Sequence, residues 1–304
     1  MFYSPLRYPG GKNKLAAFLA RICIDNQITG HYVEPYAGGA SVALFLLLEG
    51  FVEKITINDI DRSIYAFWYS ALYRSDELIK LIFETEITVE QWYKQKEVQK
   101  KKKHVDILEL GFSTLYLNRT NRSGILRSGC IGGLEQKGEY LIDCRFNKQD
   151  IINRIIKIRD KKERIRLFKW DAIRLIDKIE NEAENTNTIF YFDPPYYLKG
   201  DSLYVNHCKH KDHEVVGNRI KRIRNLKWIV SYDNVPEIRS IYSGFYTKEY
   251  SFKHTAFKPV TGQEALFFSQ NLDLPQVQNW NPLQFRFNRK TSSIKYKQSV
   301  RKSV

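Results

Sequence analysis

Cysteine is scarce, and its spacing suits no structural role. The four are Cys23, Cys130, Cys144 and Cys208, with no CxxC pair among them. Neither a zinc site nor a disulfide framework is expected, and a reducing cytoplasm suits such a chain. Long apolar runs are also missing. The longest, Val42 to Leu48, is too short to cross a bilayer. Met1 to Asn13 contains no apolar signal core, so no export signal is expected. Negative charge is short as well: 34 Asp and Glu stand against 49 Lys and Arg, a formal net charge of +15. No acidic residue occurs from Gln276 to Val304. Such an excess favours a polyanionic partner, most simply nucleic acid. Aromatics, by contrast, are plentiful at 14 %, and the apolar fraction of 43 % over 304 residues supports one large domain or two smaller ones.

The most unusual stretch is Asp193-Pro194-Pro195-Tyr196. It follows Thr188 to Phe192, an apolar, β-branched and aromatic run that reads as a strand buried on both faces. The prolines make the segment stiff and extended. A carboxylate, free carbonyls and an aromatic ring thus stand at the mouth of a sheet, where open α/β sheets bind ligands. Asp193 and the Pro194 carbonyl can each accept a hydrogen bond from one exocyclic amine. Tyr196 can stack on the ring that bears it. Two acceptors keep the amine lone pair out of the ring and make the nitrogen nucleophilic, with no general base acting first. An ordinary turn after a strand is the plain alternative.

Earlier in the chain, Gly10-Gly11-Lys12 opens a helical pattern at Leu15 to Ile24. It is no phosphate loop, because Leu6 replaces the first glycine and Asn13 the Ser or Thr. His31 to Ala40 and Ser41 to Gly50 read as strand, glycine turn and helix, with Gly38 and Gly39 allowing close backbone approach. A second strand, Lys54 to Ile57, ends in Asn58-Asp59. An acid at that place, about 20 residues past the glycines, holds ribose hydroxyls in dinucleotide folds. Without the full glycine spacing, a nucleoside lacking a pyrophosphate fits better than NAD.

Helical patterns follow at Ile64 to Tyr73, Leu78 to Phe83 and Ile151 to Ile158. The basic run from Lys94 to Lys103 reads as a solvated face. In Leu115 to Arg127, Asn118, Arg119, Arg122 and Arg127 are interleaved with aromatics, and Asn and Arg read adenine and guanine edges; a surface loop is the alternative. Arg122 and Arg127 are the first candidates for reading bases. Ile165 to Phe168 is another strand, and Asp171 lies beyond its end, also suited to cap a helix over Ala172 to Ile179. The histidines and Cys208 within Tyr204 to His213 match no metal-site spacing. Trp228 to Asp233 reads as a strand, and Glu249 to Lys258 with Glu264 to Ser269 as a closing hairpin. The alternation predicts an α/β fold with a mostly parallel sheet and an antiparallel edge. Gln276 to Val304 reads as a weakly ordered basic tail.

The ordered set Tyr8-Pro9-Gly10-Gly11-Lys12, Glu34-Pro35-Tyr36-Ala37-Gly38-Gly39, Asn58-Asp59-Ile60, Leu117-Asn118-Arg119-Thr120, Asp193-Pro194-Pro195-Tyr196 and Ser231-Tyr232-Asp233 resembles the Dam-type (D12, or alpha, class) adenine-N6 DNA methyltransferases. The likeness covers roughly residues 2 to 271. Ser123-Gly124 stands where many members have Asn-Gly. The resemblance implies a Rossmann-like sheet binding S-adenosylmethionine, with residues 1–65 and 160–272 as the catalytic domain, 66–159 as an inserted, mainly helical target-recognition region, and 273–304 as a basic tail. It implies that Tyr8, Lys12, Glu34, Gly38, Gly39, Asp59, Asp171 and Asp193 line the cofactor site, with Glu34 and the glycines by the methionine part, Asp59 on the ribose and Asp171 near the adenine. Asp193 to Tyr196 would grip the flipped base, and Asn118, Arg119, Arg122 and Arg127 would contact DNA.

The activity implied is site-specific methylation of adenine N6 in double-stranded DNA, without a metal, in a restriction-modification or similar setting. A monomer acting at the nucleoid in a bacterial or phage-infected cytoplasm, with no membrane contact, is expected. Cytosine-N4 transfer normally has Ser in place of the Asp. A non-catalytic DNA-binding protein is the alternative from another class, and Asp59, Asp193 and Tyr196 speak against it.

Overall fold

The computed structural model describes residues 3–7, 12–182, 187–197, 209–254 and 260–297. A 3-10 turn at Lys12–Leu15 leads into α1 (Ala16–Asp25), β1 (His31–Glu34), α2 (Ser41–Leu48) and β2 (Lys54–Asn58). Five helices come next: α3 (Arg62–Tyr73), α4 (Ser75–Glu84), α5 (Val89–Lys100), α6 (Ile107–Thr120) and α7 (Lys148–Arg159). Then come β3 (Ile165–Phe168), α8 (Ala172–Glu182), β4 (Thr188–Phe192), α9 (His210–Lys221), β5 (Lys227–Asp233) and α10 (Pro236–Ile241). The hairpin β6 (Tyr246–His254) and β7 (Val260–Phe268) precedes a second one, β8 (Phe285–Asn288) and β9 (Ser293–Tyr296).

The fold is α/β, as the alternation of strands and helices predicts. Seven strands form one sheet in the order β3-β2-β1-β4-β5-β7-β6. β4 pairs in parallel with β1 and β5, and β7 closes antiparallel on β5. The chain divides into two compact units. One comprises Met1–Gly11, Tyr36–Ala40 and Ile57–Asp171, the other Lys12–Pro35, Ser41–Thr56 and Ala172–Val304.

In the second unit, all five side chains of β4 are buried, with the Phe190 and Phe192 rings stacked at 5.3 Å. That explains a strand with no polar alternation. Helix α2 is apolar nearly all round and buried from Val42 to Leu47, as a core helix must be. The C-terminal stretch is a correction. Its lack of acids suggested weak order, yet Trp280 stacks on Phe18 at 5.1 Å and Phe285 lies 5.5 Å from the same ring. Phe287 packs edge-on against Phe45 and Phe51, and Arg289 pairs with Glu49 at 3.1 Å. Such aromatic side chains bury enough apolar area to order a short hairpin whatever its net charge.

In the first unit α3, α4 and α5 pack on α6, while α7 packs on α3 and α4. Gly111 lets α3 approach, since a Cβ there would meet Ser70 Oγ at 2.5 Å and the Ala66 carbonyl at 2.6 Å. Helix α6 is buried from Leu110 to Thr120. The stretch read as a possible surface loop therefore begins as a core helix, and the loop starts only after Thr120.

Candidate active site

The Asp193 turn lies beside the end of β5. Phe192 is in register with Val230, so Asp193 emerges beside Ser231. Ser231 Oγ donates to Asp193 Oδ1 at 2.8 Å and itself accepts from Tyr191 Oη at 3.0 Å. Further along the chain, Asp233 Oδ1 accepts from the Tyr197 backbone N–H at 2.9 Å, which fixes the far end of the turn. Lys12 Nζ stands 3.3 Å from Asp193 Oδ1, and the Asp193 side chain remains 25 % exposed. Among the described residues, its Oδ2 accepts no hydrogen bond. One oxygen is thus anchored and the other is left to receive a proton donor. Burial raises the Asp193 carboxyl to about 6, against the opposing pull of Lys12 and Ser231 and with help from Glu264.

Lys12 lies at the centre of a second cluster. Its ammonium donates to Glu264 Oε1 at 2.7 Å and to Tyr196 Oη at 3.1 Å, and sits 5.0 Å from the Tyr196 ring centroid. Tyr196 Oη donates to Glu264 Oε1 at 2.6 Å, and Tyr250 Oη donates to Glu264 Oε2. Burial works against the Lys12 charge, but Asp193 and Glu264 outweigh it and keep the ammonium protonated well above its ordinary range. Lys12, implied as a cofactor residue, is engaged by three protein groups, Asp193, Tyr196 and Glu264. Tyr196, implied as a stacking ring, has its hydroxyl tethered and only 8 % of its surface exposed.

Glu34 ends β1 in the same unit. Its Oε1 accepts from Tyr32 Oη at 3.0 Å and from the Ala43 N–H of α2 at 3.1 Å. Burial nonetheless raises this carboxyl to about 8, with the two hydrogen bonds pulling the other way. Burial thus favours its neutral form, in a place that excludes charge.

The first unit holds the glycine turn. Gly38 has φ +46° and Ala40 φ +45°, a left-handed conformation that glycine adopts freely and alanine only under constraint. The Gly38 N–H donates to Asp59 Oδ2 at 3.0 Å, and the Asp61 N–H donates to Oδ1 at 2.9 Å. Trp68 Nε1 donates to the Gly38 carbonyl at 2.8 Å. Burial raises the Asp59 carboxyl to about 7, opposed by those two N–H groups. Asn58 clamps the backbone of Trp170, accepting its N–H at 2.8 Å and donating to its carbonyl at 2.9 Å. This places the exposed Asp171 just past β3.

The four residues read as DNA contacts separate into two pairs. Asn118 is 1 % exposed, and its amide accepts the Arg7 N–H at 2.6 Å and donates to the carbonyls of Arg7 and Gly124 at 2.7 and 2.9 Å. Arg119 is 8 % exposed and donates to the carbonyls of Pro5 and Arg145. Both brace the scaffold in this structure through bonds to backbone carbonyls and are largely screened from solvent. The loop they support carries Arg122 and Arg127, both exposed. Asn121 holds this loop by donating to the Ile125 and Leu126 carbonyls, and Lys96 by donating to those of Leu126 and Ser128. Lys96 therefore serves the loop rather than only a solvated face.

Tyr8, Gly10, Gly11, His207 and Cys208 lie outside the described residues. His210 Nε2 lies 3.2 Å from Glu214, and His213 Nδ1 lies 2.8 Å from Tyr232 Oη. Among the described residues no cluster suited to a metal ion is found, and no helix is long and apolar enough to cross a membrane. Ser231, Glu264, Tyr250 and Asn58 had no role assigned from sequence. A glutamate bordering the apolar run Ala265 to Phe268 was the visible signal for one of them.

The model of the D12 class N6 adenine-specific DNA methyltransferases matches residues 8–256. A curated relative, the Type II methyltransferase M.MjaIII of Methanocaldococcus jannaschii, is 24 % identical over 266 residues, covering 80 % of this chain and 89 % of that protein. Among solved structures, the rRNA methyltransferase aviRa from Streptomyces viridochromogenes aligns with 83 % of each chain at 8 % identity, with a TM-score of 0.33, which carries no weight.

Proposed function

The chain belongs to the D12 class N6 adenine-specific DNA methyltransferase family, and from that premise we propose that it transfers the methyl group of S-adenosylmethionine to N6 of an adenine flipped out of duplex DNA. Asp193 carries the reading. Its Oδ1 is fixed by Ser231 and Lys12 while Oδ2, among the described residues, accepts no bond, and it belongs to a rigid, tethered turn.

The donor's sulfonium supplies an electrophilic methyl carbon. Asp193 Oδ2 and the Pro194 carbonyl each accept a hydrogen bond from one N6–H and localise the lone pair on nitrogen. N6 forms the new bond to the methyl carbon as the carbon–sulfur pair returns to sulfur. The nitrogen then releases one proton, to Oδ2 or to water. Taking the base out of the stack costs a few kcal/mol, and stacking on an aromatic ring returns roughly 1–3 kcal/mol. Tyr196 supplies that ring, held by its hydroxyl.

For the donor, Asp59 offers a carboxylate already oriented by two backbone N–H groups, which suits a ribose diol. Tyr8, Lys12, Glu34, the Gly38–Gly39 turn, Asp171 and Asp193 complete the residues assigned to it. Arg122 and Arg127, on the loop within 66–159, are assigned to DNA. A Type II modification setting is consistent with the relative's name.

Labelled-methyl transfer to duplexes with and without adenine tests the reading. Incorporation only into adenine-containing DNA, recovered as N6-methyladenine, is expected. Incorporation into adenine-free duplexes would mean cytosine-N4 transfer. DNA binding with no transfer to either would mean a non-catalytic protein. Duplex affinity should fall steeply with salt.

A further inference from the structure

We propose that Glu264, on the antiparallel strand β7, is a positioning residue for methyl transfer: it holds Lys12 and Tyr196 so that one sets the Asp193 carboxylate and the other presents its ring. The inference rests on the methyltransferase reading of the Asp193 turn.

Strand register brings Glu264 opposite Asp233 on one side and Tyr250 on the other. It is 3 % exposed. A carboxylate so buried is held only by strong partners. Glu264 has three: Lys12 Nζ, Tyr196 Oη and Tyr250 Oη. Two of these lead to the reacting centre. Lys12 is bonded to Glu264 and lies 3.3 Å from Asp193 Oδ1. Tyr196 closes the Asp193 turn, so tethering its hydroxyl restricts both ring tilt and the path of the turn. Glu264 acts on Asp193 through the lysine and the tyrosine.

Charge gives a second consequence. Asp193 faces Lys12, Glu264, Tyr196, Tyr191 and Ser231, and it also interacts with the Glu34 carboxyl. With Lys12 shared by two carboxylates, its positive charge is partly cancelled at Asp193. The carboxylate is then a better acceptor for the N6 protons than it would be opposite an unshared ammonium. Removing the Glu264 charge leaves Lys12 to Asp193 alone, which stabilises the ionised form and shifts its titration to lower pH.

Two substitutions separate reach from charge. Glu264→Gln keeps the shape and removes the charge. Its kcat is expected to fall by about 10²-fold at unchanged KM for DNA, and the acid limb of kcat/KM, expected near pH 6 from Asp193, should move to lower pH. Glu264→Asp keeps the charge but shortens the reach; its kcat is expected to fall about tenfold with the acid limb in place. Wild-type kcat and limb in the folded E264Q enzyme, with only a lowered Tm, would reduce Glu264 to a purely structural role and overturn the proposal. If E264Q does not fold, E264D decides: wild-type kcat overturns, a lowered kcat at constant KM supports. The wild-type enzyme run alongside separates this from the parent reading, which fails only if that enzyme itself transfers no methyl group to adenine.

Discussion

Two aspartates each stand just past the end of a strand and are held in opposite ways. Asp193 is fixed by side chains, a serine hydroxyl and a shared ammonium, and among the described residues keeps one oxygen open. Asp59 is fixed by the backbone, with one N–H on each oxygen. Side-chain anchors can be adjusted by single substitutions and respond to neighbouring charge. Backbone anchors do not depend on the chemistry of the donor side chains, only on the backbone path, which at Gly38 favours glycine. The difference suits the proposed roles, since a group that activates a nucleophile needs tuned basicity, whereas a group that seats a ribose needs only constant geometry.

The comparison is broken most completely at Asp193 itself. Asp193→Ala should lower kcat at least about 10³-fold while DNA affinity, read by filter binding or anisotropy, stays near wild type. Asp59→Ala should act on the other parameter. The KM for the methyl donor is expected to rise at least about tenfold with a smaller change in kcat, and a pure kcat defect would contradict the assignment. Ser231→Ala sharpens the contrast by deleting one side-chain anchor. A loss of about tenfold in kcat at constant KM is expected, with no effect on donor affinity.

Titration separates the regions more gently. Glu34 rises from 4.5 to about 8, Asp59 from 3.8 to about 7 and Asp193 from 3.8 to about 6. The folded chain thus binds more protons than the unfolded one across this range, so stability present at acid pH is lost as pH rises towards 8. The urea midpoint should fall between about pH 5.5 and 8.5, and Glu34→Gln, which cannot ionise, should flatten the decline. The smallest effect belongs to the exposed loop. Arg127→Ala should reduce the slope of log affinity against log salt by about one if it contacts a phosphate, or relax sequence preference if it reads a base.

Much of the sheet was legible because its strands are short apolar runs ending in polar residues. Thr188 to Phe192 and Trp228 to Asp233 carry their own boundaries. The Asp193 turn was legible for the same reason, since stiffness is written in adjacent prolines. Everything decided by long-range proximity escaped. Asn118 and Arg119 have the chemistry of base readers, but whether an amide faces DNA or Arg7 depends on how α6 packs. Lys12 and Glu264 lie 252 positions apart in sequence and 2.7 Å apart in space, and no local pattern joins them. The second hairpin was hidden by its charge, because basic residues face outward on the same short strands whose phenylalanines face inward.

That hairpin has a practical consequence. It lies wholly beyond residue 256, where the family match stops, and a trimmed version of the chain would be an obvious choice for expression. Cutting between β7 and β8, which would keep the seven-stranded sheet whole, would still strip Trp280, Phe285 and Phe287 from Phe18, Phe45 and Phe51, laying bare a greasy flank beside α1 and α2. What looks like a dispensable appendage is the outer wall of that flank, and the shortened protein should clump.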